Sequence, residues 1–163
     1  MNAMIGLGPL PAVAVQEADF DVGAEIEALG AGRDDVGAIA SFVGLVRADK
    51  SVSDGRVQAM TLEHYPGMTE KALTEIVEAA NSRWSLLGVR VIHRVGRLLP
   101  GDRIVLVLVA SAHRGDAFAA CEFIMDYLKT KAPFWKKEDT EHGGRWVDAR
   151  DADDQAAQRW TKS

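Results

Sequence analysis

The chain has 163 residues, a length that fits one domain and excludes two large ones. Hydrophobic residues make up 47% of it and charged residues 26%, proportions typical of a folded globular protein and against intrinsic disorder. The formal net charge of -5 at pH 7 disfavours a protein that coats nucleic acid or anionic membranes.

The N-terminal part of the chain gives weak structural signals. We predict one domain over residues 1–163, with residues 1–12 flexible. An edge strand is expected at 13–15. Apolar residues at helical spacing predict a short helix over 22–29, behind Asp21 as its N-cap.

The next part of the chain contains two apolar strands and a strongly amphipathic helix. Segments 38–46 and 57–62 are apolar and flanked by turn-forming residues, so we predict two strands joined as a hairpin by the polar loop 48–55. A helix is predicted over 69–84, because its apolar residues recur at helical spacing.

The C-terminal half completes an α+β pattern. Segments 89–95 and 104–110 are predicted as core strands, and 116–129 as a helix with one apolar face. A strand at 146–147 and a short helix at 153–160 are expected to follow. This order of elements predicts an α+β fold in which helices pack on a mostly antiparallel sheet.

The single cysteine, Cys121, predicts a cytoplasmic protein without disulfide bonds. The N-terminus lacks the basic region of a signal peptide, and no apolar run is long enough to span a bilayer. The histidines are dispersed without metal-ligand spacing, so we expect no metal site and no cofactor. They are His64, His93, His113 and His142.

The strongest local feature is a basic segment, residues 129–137, with four lysines in nine residues. Lys129 falls at the margin of the preceding helix's apolar face, where partial desolvation would lower its pKa and suit it to act as a base or nucleophile. The alternative is that these lysines merely complement the helix dipole and stay solvated. The aromatic residues before Lys136 favour a functional role, because they would hold it in a partly dry setting.

Basic residues also follow two of the predicted strands. His113 and Arg114 lie where a strand gives way to a helix, and such a position attracts anions. The alternative is an Arg114 that pairs with Asp116 or Asp126. Arg47 ends another strand, where the pattern alone favours an ordinary hairpin-edge arginine over a functional one.

Four segments, taken together and in this order, resemble the large, catalytic subunit of molybdopterin synthase, the MoaE family. The likeness runs over about 37–160 and is weak in the first 35 residues and the loop 48–55. The segments are Leu62-Glu-His-Tyr-Pro-Gly-Met-Thr-Glu70, His93-Arg-Val-Gly96, Ser111-Ala-His-Arg114 and Phe123-Ile-Met-Asp-Tyr-Leu-Lys-Thr-Lys-Ala-Pro-Phe-Trp-Lys-Lys-Glu138.

The resemblance implies an α/β hammerhead-type fold and a sulfurtransferase of molybdenum cofactor biosynthesis. It implies a homodimer of large subunits with a small ubiquitin-like sulfur carrier at each end, a heterotetramer. The carrier would end in a Gly-Gly thiocarboxylate, and two such thiocarboxylates would convert cyclic pyranopterin monophosphate to molybdopterin.

The resemblance also implies roles for individual residues. Lys129 would be the central catalytic residue, and Lys136 would assist it. Arg150 is a candidate for completing the pocket from the second subunit. The substrate-binding positions implied are Phe42, Arg47, His113, Arg114, Met125, Glu138 and Arg150.

A different class of function stays open at this point. The segment 129–137 is also consistent with a noncatalytic module that binds a phosphorylated ligand or RNA, with Phe134 and Trp135 stacking on bases. The acidic composition disfavours this alternative, and the resemblance implies neither a nucleic-acid nor a membrane partner.

Overall fold

The computed structural model of the chain describes residues 11–49, 55–147 and 151–161. The fold is α+β, as predicted, and every strand pair in these ranges except β1 with β4 is antiparallel. A short 3-10 helix, Arg159–Thr161, follows the last α-helix. The elements are β1 (Val13–Gln16), α1 (Val22–Gly30), β2 (Ala38–Leu45), β3 (Val57–His64), α2 (Met68–Arg83), β4 (Leu86–Arg94), β5 (Gly96–Leu98), β6 (Arg103–Ser111), α3 (Arg114–Lys131), β7 (Phe134–Thr140), β8 (Gly143–Val147) and α4 (Asp151–Gln158).

The first sheet has the strand order β1-β4-β6-β2 and carries helices on both faces. Alternate residues of β6 point to opposite faces of the sheet. Val107 and its neighbours two residues away pack with α2 and α3, while Leu106 and Leu108 pack on the side of α1. The continuous apolar run of β6 therefore reflects a strand buried on both faces.

The second sheet has the order β5-β3-β7-β8. Gly96 has a φ of 86°, a conformation that glycine adopts readily, and it marks the point where the chain leaves β4 in the first sheet for β5 in the second. Val46, Met60, Leu62 and Leu98 form a small apolar cluster beside this junction. The two sheets are therefore joined by a kink in one continuous segment.

The two long helices match the predicted apolar faces. The buried residues of α2 include Leu73, Ile76, Val77 and Ala80. α3 runs two residues beyond the predicted end and buries Cys121, whose pKa is raised to about 11 by desolvation. Cys121 is therefore protonated at neutral pH and unsuited to act as a nucleophile.

The predicted hairpin of β2 and β3 is wrong. β2 pairs with β6 in the first sheet, whereas β3 pairs with β5 and β7 in the second. A short turn fixes the pairing of a hairpin, but the long loop 48–55 leaves each strand free to pair elsewhere. Strands β5 and β7 were not predicted from the sequence.

Some predictions fall on residues outside the described ranges. Residues 1–10 of the predicted flexible terminus lie there, as do residues 50–54 of the polar loop and the site candidate Arg150. No helix within the described part of the chain combines the length and the apolar character needed to cross a bilayer.

Candidate active site

A cavity of about 320 Å³ lies between the second sheet and the C-terminal end of α3. Strands β3 and β7 form one wall, and the last turn of α3 faces them. The lining combines three cationic side chains with apolar ones. The lining residues are Val46, Arg47, Val57, Met60, Leu62, His93, Ile104, Leu128, Lys129, Ala132, Phe134, Lys136, Glu138, Val147 and Asp153.

The cavity brings together the two lysines that the sequence singled out. Lys129 lies in the last turn of α3, and Lys136 lies on β7, directly after the connection between the two elements. Phe134, Lys136 and Glu138 share one face of β7, because side chains alternate along a strand. Lys129 is exposed in the single chain, while Lys136 is half-buried.

Arg47 reaches the cavity from the end of β2. Its neighbour Val46 is held by two backbone hydrogen bonds to the turn between β5 and β6. The N–H of Val46 donates to the carbonyl of Asp102 at 3.0 Å, and the N–H of Gly101 donates to the carbonyl of Val46 at 2.9 Å. The turn therefore fixes the backbone from which Arg47 extends.

Glu138 places a carboxylate among these cations. The residue is only 1% exposed, and Oε2 lies 3.7 Å from Nη2 of Arg145. Arg145 is its partner in register on β8. Glu138 therefore adds an acidic side chain to the cavity lining, as does Asp153 of α4.

Thr69 holds the connection between Lys129 and Lys136 in place. Its buried hydroxyl donates a hydrogen bond to the carbonyl of Pro133 at 2.9 Å and accepts one from the N–H of Tyr65 at 3.0 Å. The N-terminus of α2 is thereby tied to the segment between α3 and β7. The contact therefore restrains the backbone segment that connects the two lysines.

We expect Thr69→Val to lower the free energy of unfolding by about 1–3 kcal/mol, because it leaves a carbonyl and an N–H without their partner. We also expect the activity of the protein to fall, because the placement of the two lysines would change. Thr69→Ser keeps the hydroxyl and is the matched control. Urea unfolding and activity measured on both variants test this, and a Val variant as active as the Ser variant would show that the contact does not position the lysines.

His93 is a cavity residue to which the sequence analysis assigned no role. Its ring stacks on Phe134 with centroids 3.8 Å apart and planes inclined by 19°. Nδ1 lies 2.8 Å from the carbonyl oxygen of Arg94. Burial, opposed by this hydrogen bond and aided by the charge of Lys129, lowers the pKa of His93 to about 4. The ring is therefore neutral at pH 7.

Other predicted site residues do not reach this cavity within one chain. In the pair of β2 with β6, Ala38 lies opposite Ser111 and Leu45 lies opposite Arg103. Arg47 follows the end of β2 and His113 follows the end of β6. Because the two strands are antiparallel, these ends are on the order of 25 Å apart. Arg114 begins α3 and lies about 22 Å along the helix from Lys129. Both His113 and Arg114 are exposed.

Two apolar candidates also lie elsewhere. Met125 is 8% exposed and belongs to the main core, and Phe42 is 39% exposed on β2. Neither is part of the cavity lining. Arg150 is outside the described residues, so its position is not assigned.

The geometry does not favour the RNA-binding alternative. A stacking platform needs exposed aromatic rings beside cations on one surface. Phe134 stacks on the buried His93, whereas Trp135 is 48% exposed on the opposite face of β7. Phe134 therefore faces the cavity, whereas Trp135 lies on the outer surface of β7.

Known proteins resemble this chain over most of its length. A family model described as MoaE protein matches residues 15–131, a range that contains Arg47, His93 and Lys129. The molybdopterin synthase catalytic subunit of Ralstonia nicotianae is 65% identical over 152 residues, covering 93% of this chain and 85% of that protein. The subunit of the same description from Vibrio cholerae is 62% identical over 148 residues, covering 91% of this chain and 97% of that protein.

A solved structure shares the fold. The molybdopterin biosynthesis MoaE protein from Burkholderia ambifaria is 55% identical, with a TM-score of 0.79, and the likeness covers 94% of this chain and 100% of that chain.

Proposed function

The chain belongs to the MoaE family of molybdopterin synthase catalytic subunits, and from this premise we propose that the cavity at the end of α3 is where sulfur is transferred. The enzyme is a sulfurtransferase of molybdenum cofactor biosynthesis. It converts cyclic pyranopterin monophosphate to molybdopterin with the thiocarboxylates of a small carrier subunit. The observation that carries the assignment of the site is the meeting of Lys129, Lys136 and Arg47 in one cavity.

The cations of the cavity suit both reactants. The guanidinium of Arg47 binds the phosphate of the pterin, and the ammonium groups of Lys129 and Lys136 stabilise negative charge on the thiocarboxylate and on the oxygen that gains charge during attack. The sulfur attacks a pterin carbon that bears an oxygen substituent. The carbon–sulfur bond forms as the carbon–oxygen bond breaks, the oxygen leaves with the electron pair, and the carrier is then joined to the pterin through a thioester. Water then releases the carrier as a carboxylate and leaves the sulfur on the pterin.

The carrier is proposed to thread its tail into the cavity. Lys129 is exposed in the single chain, and a tail that covers it would exclude water and strengthen its electrostatic effect. Glycine residues have no side chain and pass most easily between the apolar walls. A small ubiquitin-like carrier that ends in Gly-Gly therefore fits the site.

A homodimer would bring the remaining candidates into use. His113 and Arg114 are exposed and too far from Lys129 to share its cavity in one chain. We therefore propose that they serve the cavity of the second subunit, with Arg150 as a further contributor. With one carrier at each end, the assembly is a heterotetramer in the cytoplasm.

Mixed dimers test this arrangement. A dimer of one Lys129→Ala subunit and one Arg114→Ala subunit contains one cavity with every residue intact if Arg114 acts across the dimer, so it should recover about half of the wild-type activity. Both parent homodimers should be nearly inactive. The subunits are co-expressed with different tags and purified on both. A mixed dimer as inactive as its parents would place Arg114 in its own subunit's site or outside the site.

The two adjacent lysines of β7 provide a matched pair of variants. Lys136→Ala should slow sulfur transfer about 10-fold, a milder effect than loss of the central catalytic lysine, because one of several charge-stabilising groups is removed. Lys137→Ala should leave the rate near that of the wild type, since its side chain projects from the opposite face of the strand. Single-turnover rates of sulfur transfer are measured for the two variants. Equal decreases in rate would contradict the proposal that Lys136, and not Lys137, acts in the cavity.

Reconstitution tests the function itself. The purified protein is mixed with a thiocarboxylated carrier and cyclic pyranopterin monophosphate, and the pterin is analysed for a dithiolene. A carrier with an ordinary carboxylate end is the control. Dithiolene formation with the thiocarboxylate alone is the expected result, and its absence with an active carrier would reject the proposal.

A further inference from the structure

His93 is a buried imidazole in the wall of the cavity, and the reaction described above gives it no task. We propose that His93 is the general base that activates the water releasing the carrier from the pterin. This inference rests on the proposed function and assigns one of its steps to a residue on β4.

The hydrogen bond to the backbone fixes the tautomer of His93. A carbonyl oxygen only accepts hydrogen bonds, so the contact of 2.8 Å between Nδ1 and the carbonyl oxygen of Arg94 requires a proton on Nδ1. In the neutral ring the other nitrogen, Nε2, then carries a lone pair. The stacking on Phe134 restrains the plane of the ring. His93 is thus a preorganised proton acceptor.

The surroundings keep the ring neutral. Its pKa is lowered to about 4, first by burial and further by the charges of Lys129 and His64. The ring is uncharged above that pH and available as an acceptor at pH 7. The charged or titratable groups around it come from α3, β3, β7 and the end of β2. They are Lys129, His64, Lys136, Glu138 and Arg47, and Asp153 of α4 lines the same cavity.

Hydrolysis of the thioester needs such an acceptor. An O–H bond of water breaks and its proton passes to Nε2, while the water oxygen forms a bond to the carbonyl carbon of the carrier's terminal glycine. The bond from that carbon to sulfur breaks, and its electron pair stays on the sulfur of the pterin. The proton on His93 then passes to that sulfur, which restores the neutral ring, and the carboxylic acid formed on the carrier loses its remaining proton to solvent to give the carboxylate. No oxidant or reductant is required.

The other polar groups of the cavity suit this step less well. The arginine donates hydrogen bonds and has no lone pair to accept a proton, and the two lysines are already assigned to the stabilisation of negative charge. Glu138 is almost fully buried, and its Oε2 lies 3.7 Å from Nη2 of Arg145, so its carboxylate already faces another partner. A neutral imidazole beside Lys129 combines an acceptor with a group that stabilises the oxyanion.

Single-turnover reactions that follow the carrier by intact mass test the proposal. His93→Asn keeps an N–H in the place of Nδ1 and removes Nε2, and His93→Gln removes the ring while placing an amide near Nε2. Both variants should form the covalent carrier–pterin adduct but release the carrier at least ~100-fold more slowly, so that the adduct accumulates. His64→Asn, which removes a nearby imidazole outside the cavity lining, should behave like the wild type.

The outcomes separate the two proposals. Release at the wild-type rate in both His93 variants, or a loss of adduct formation equal to the loss of release, overturns the role of His93 and leaves the proposed function intact. Accumulation of adduct in Glu138→Gln but in neither His93 variant assigns the base to Glu138 instead. A wild-type protein that forms neither adduct nor dithiolene overturns the proposed function.

A measurement on the wild-type protein guards against variants that fail to fold. With 15N-labelled histidine, the Nε2 resonance of His93 at pH 7 should show the signature of an unprotonated nitrogen, and Nδ1 that of a protonated one. A proton on Nε2 at pH 7 would overturn the proposal without any substitution.

Discussion

Lys129→Ala is expected to slow sulfur transfer at least ~100-fold while the protein stays folded. The side chain lies in the last turn of α3, lines the cavity and is exposed in the single chain. Its removal therefore costs little packing, whereas the charge that it places beside the reacting groups is lost. Single-turnover dithiolene formation gives the rate, and thermal unfolding checks the fold.

Lys131→Ala is the matched control for this prediction. Lys131 is an exposed lysine in the same helical turn but is not among the cavity residues. Its replacement removes the same charge from the same helix end, where the interaction with the helix dipole is similar. If both variants lose the same amount of activity, the effect belongs to the general charge of the helix end and Lys129 has no catalytic role.

The second large effect is expected from a change in the carrier. A tryptophan in place of the glycine before the terminal glycine should abolish sulfur transfer and leave the binding of the carrier's globular body largely unchanged. The cavity has a volume of about 320 Å³ and must hold both the pterin and the tail, so it has no room for a large side chain. An alanine at the same place should retain much of the activity.

Two measurements on the same samples distinguish docking from transfer. Gel filtration reports the complex, and a single turnover reports the sulfur transferred. Val46, Leu62 and Phe134 are among the residues that form the walls, whereas Trp135 and Met125 are not part of the cavity lining. Unimpaired transfer with the tryptophan carrier would mean that the tail does not pass between these walls.

Much of the fold follows from periodicity in the sequence. The apolar faces of α2 and α3 and the double-sided burial of β6 each produce a clear pattern, and the structure confirms all three elements. The pairing of β2 and β3 could not be predicted in the same way, because a long connecting loop carries no information about register. The resemblance to a family added the fold type that local pattern could not supply.

The second sheet shows why functional strands escape detection. On β7, Lys136 and Glu138 lie on the face that most strands fill with apolar residues. The sequence of β7 therefore shows no alternation of apolar and polar residues by which a strand could be predicted. His93 is missed for a different reason. It lies in an apolar strand, and its contact with Phe134 forms only in the folded chain. Local sequence marked the lysines, but only the fold connects them with His93.

The central claim is that the cavity at the end of α3 holds the pterin and the end of the carrier together. A crystal structure of the protein with cyclic pyranopterin monophosphate and a carrier that ends in an ordinary carboxylate tests it most directly. We expect the phosphate within hydrogen-bonding distance of Arg47 and the carrier's terminal carboxylate within hydrogen-bonding distance of Lys129. A pterin and a tail bound elsewhere, with Lys129 touching neither, would contradict the claim.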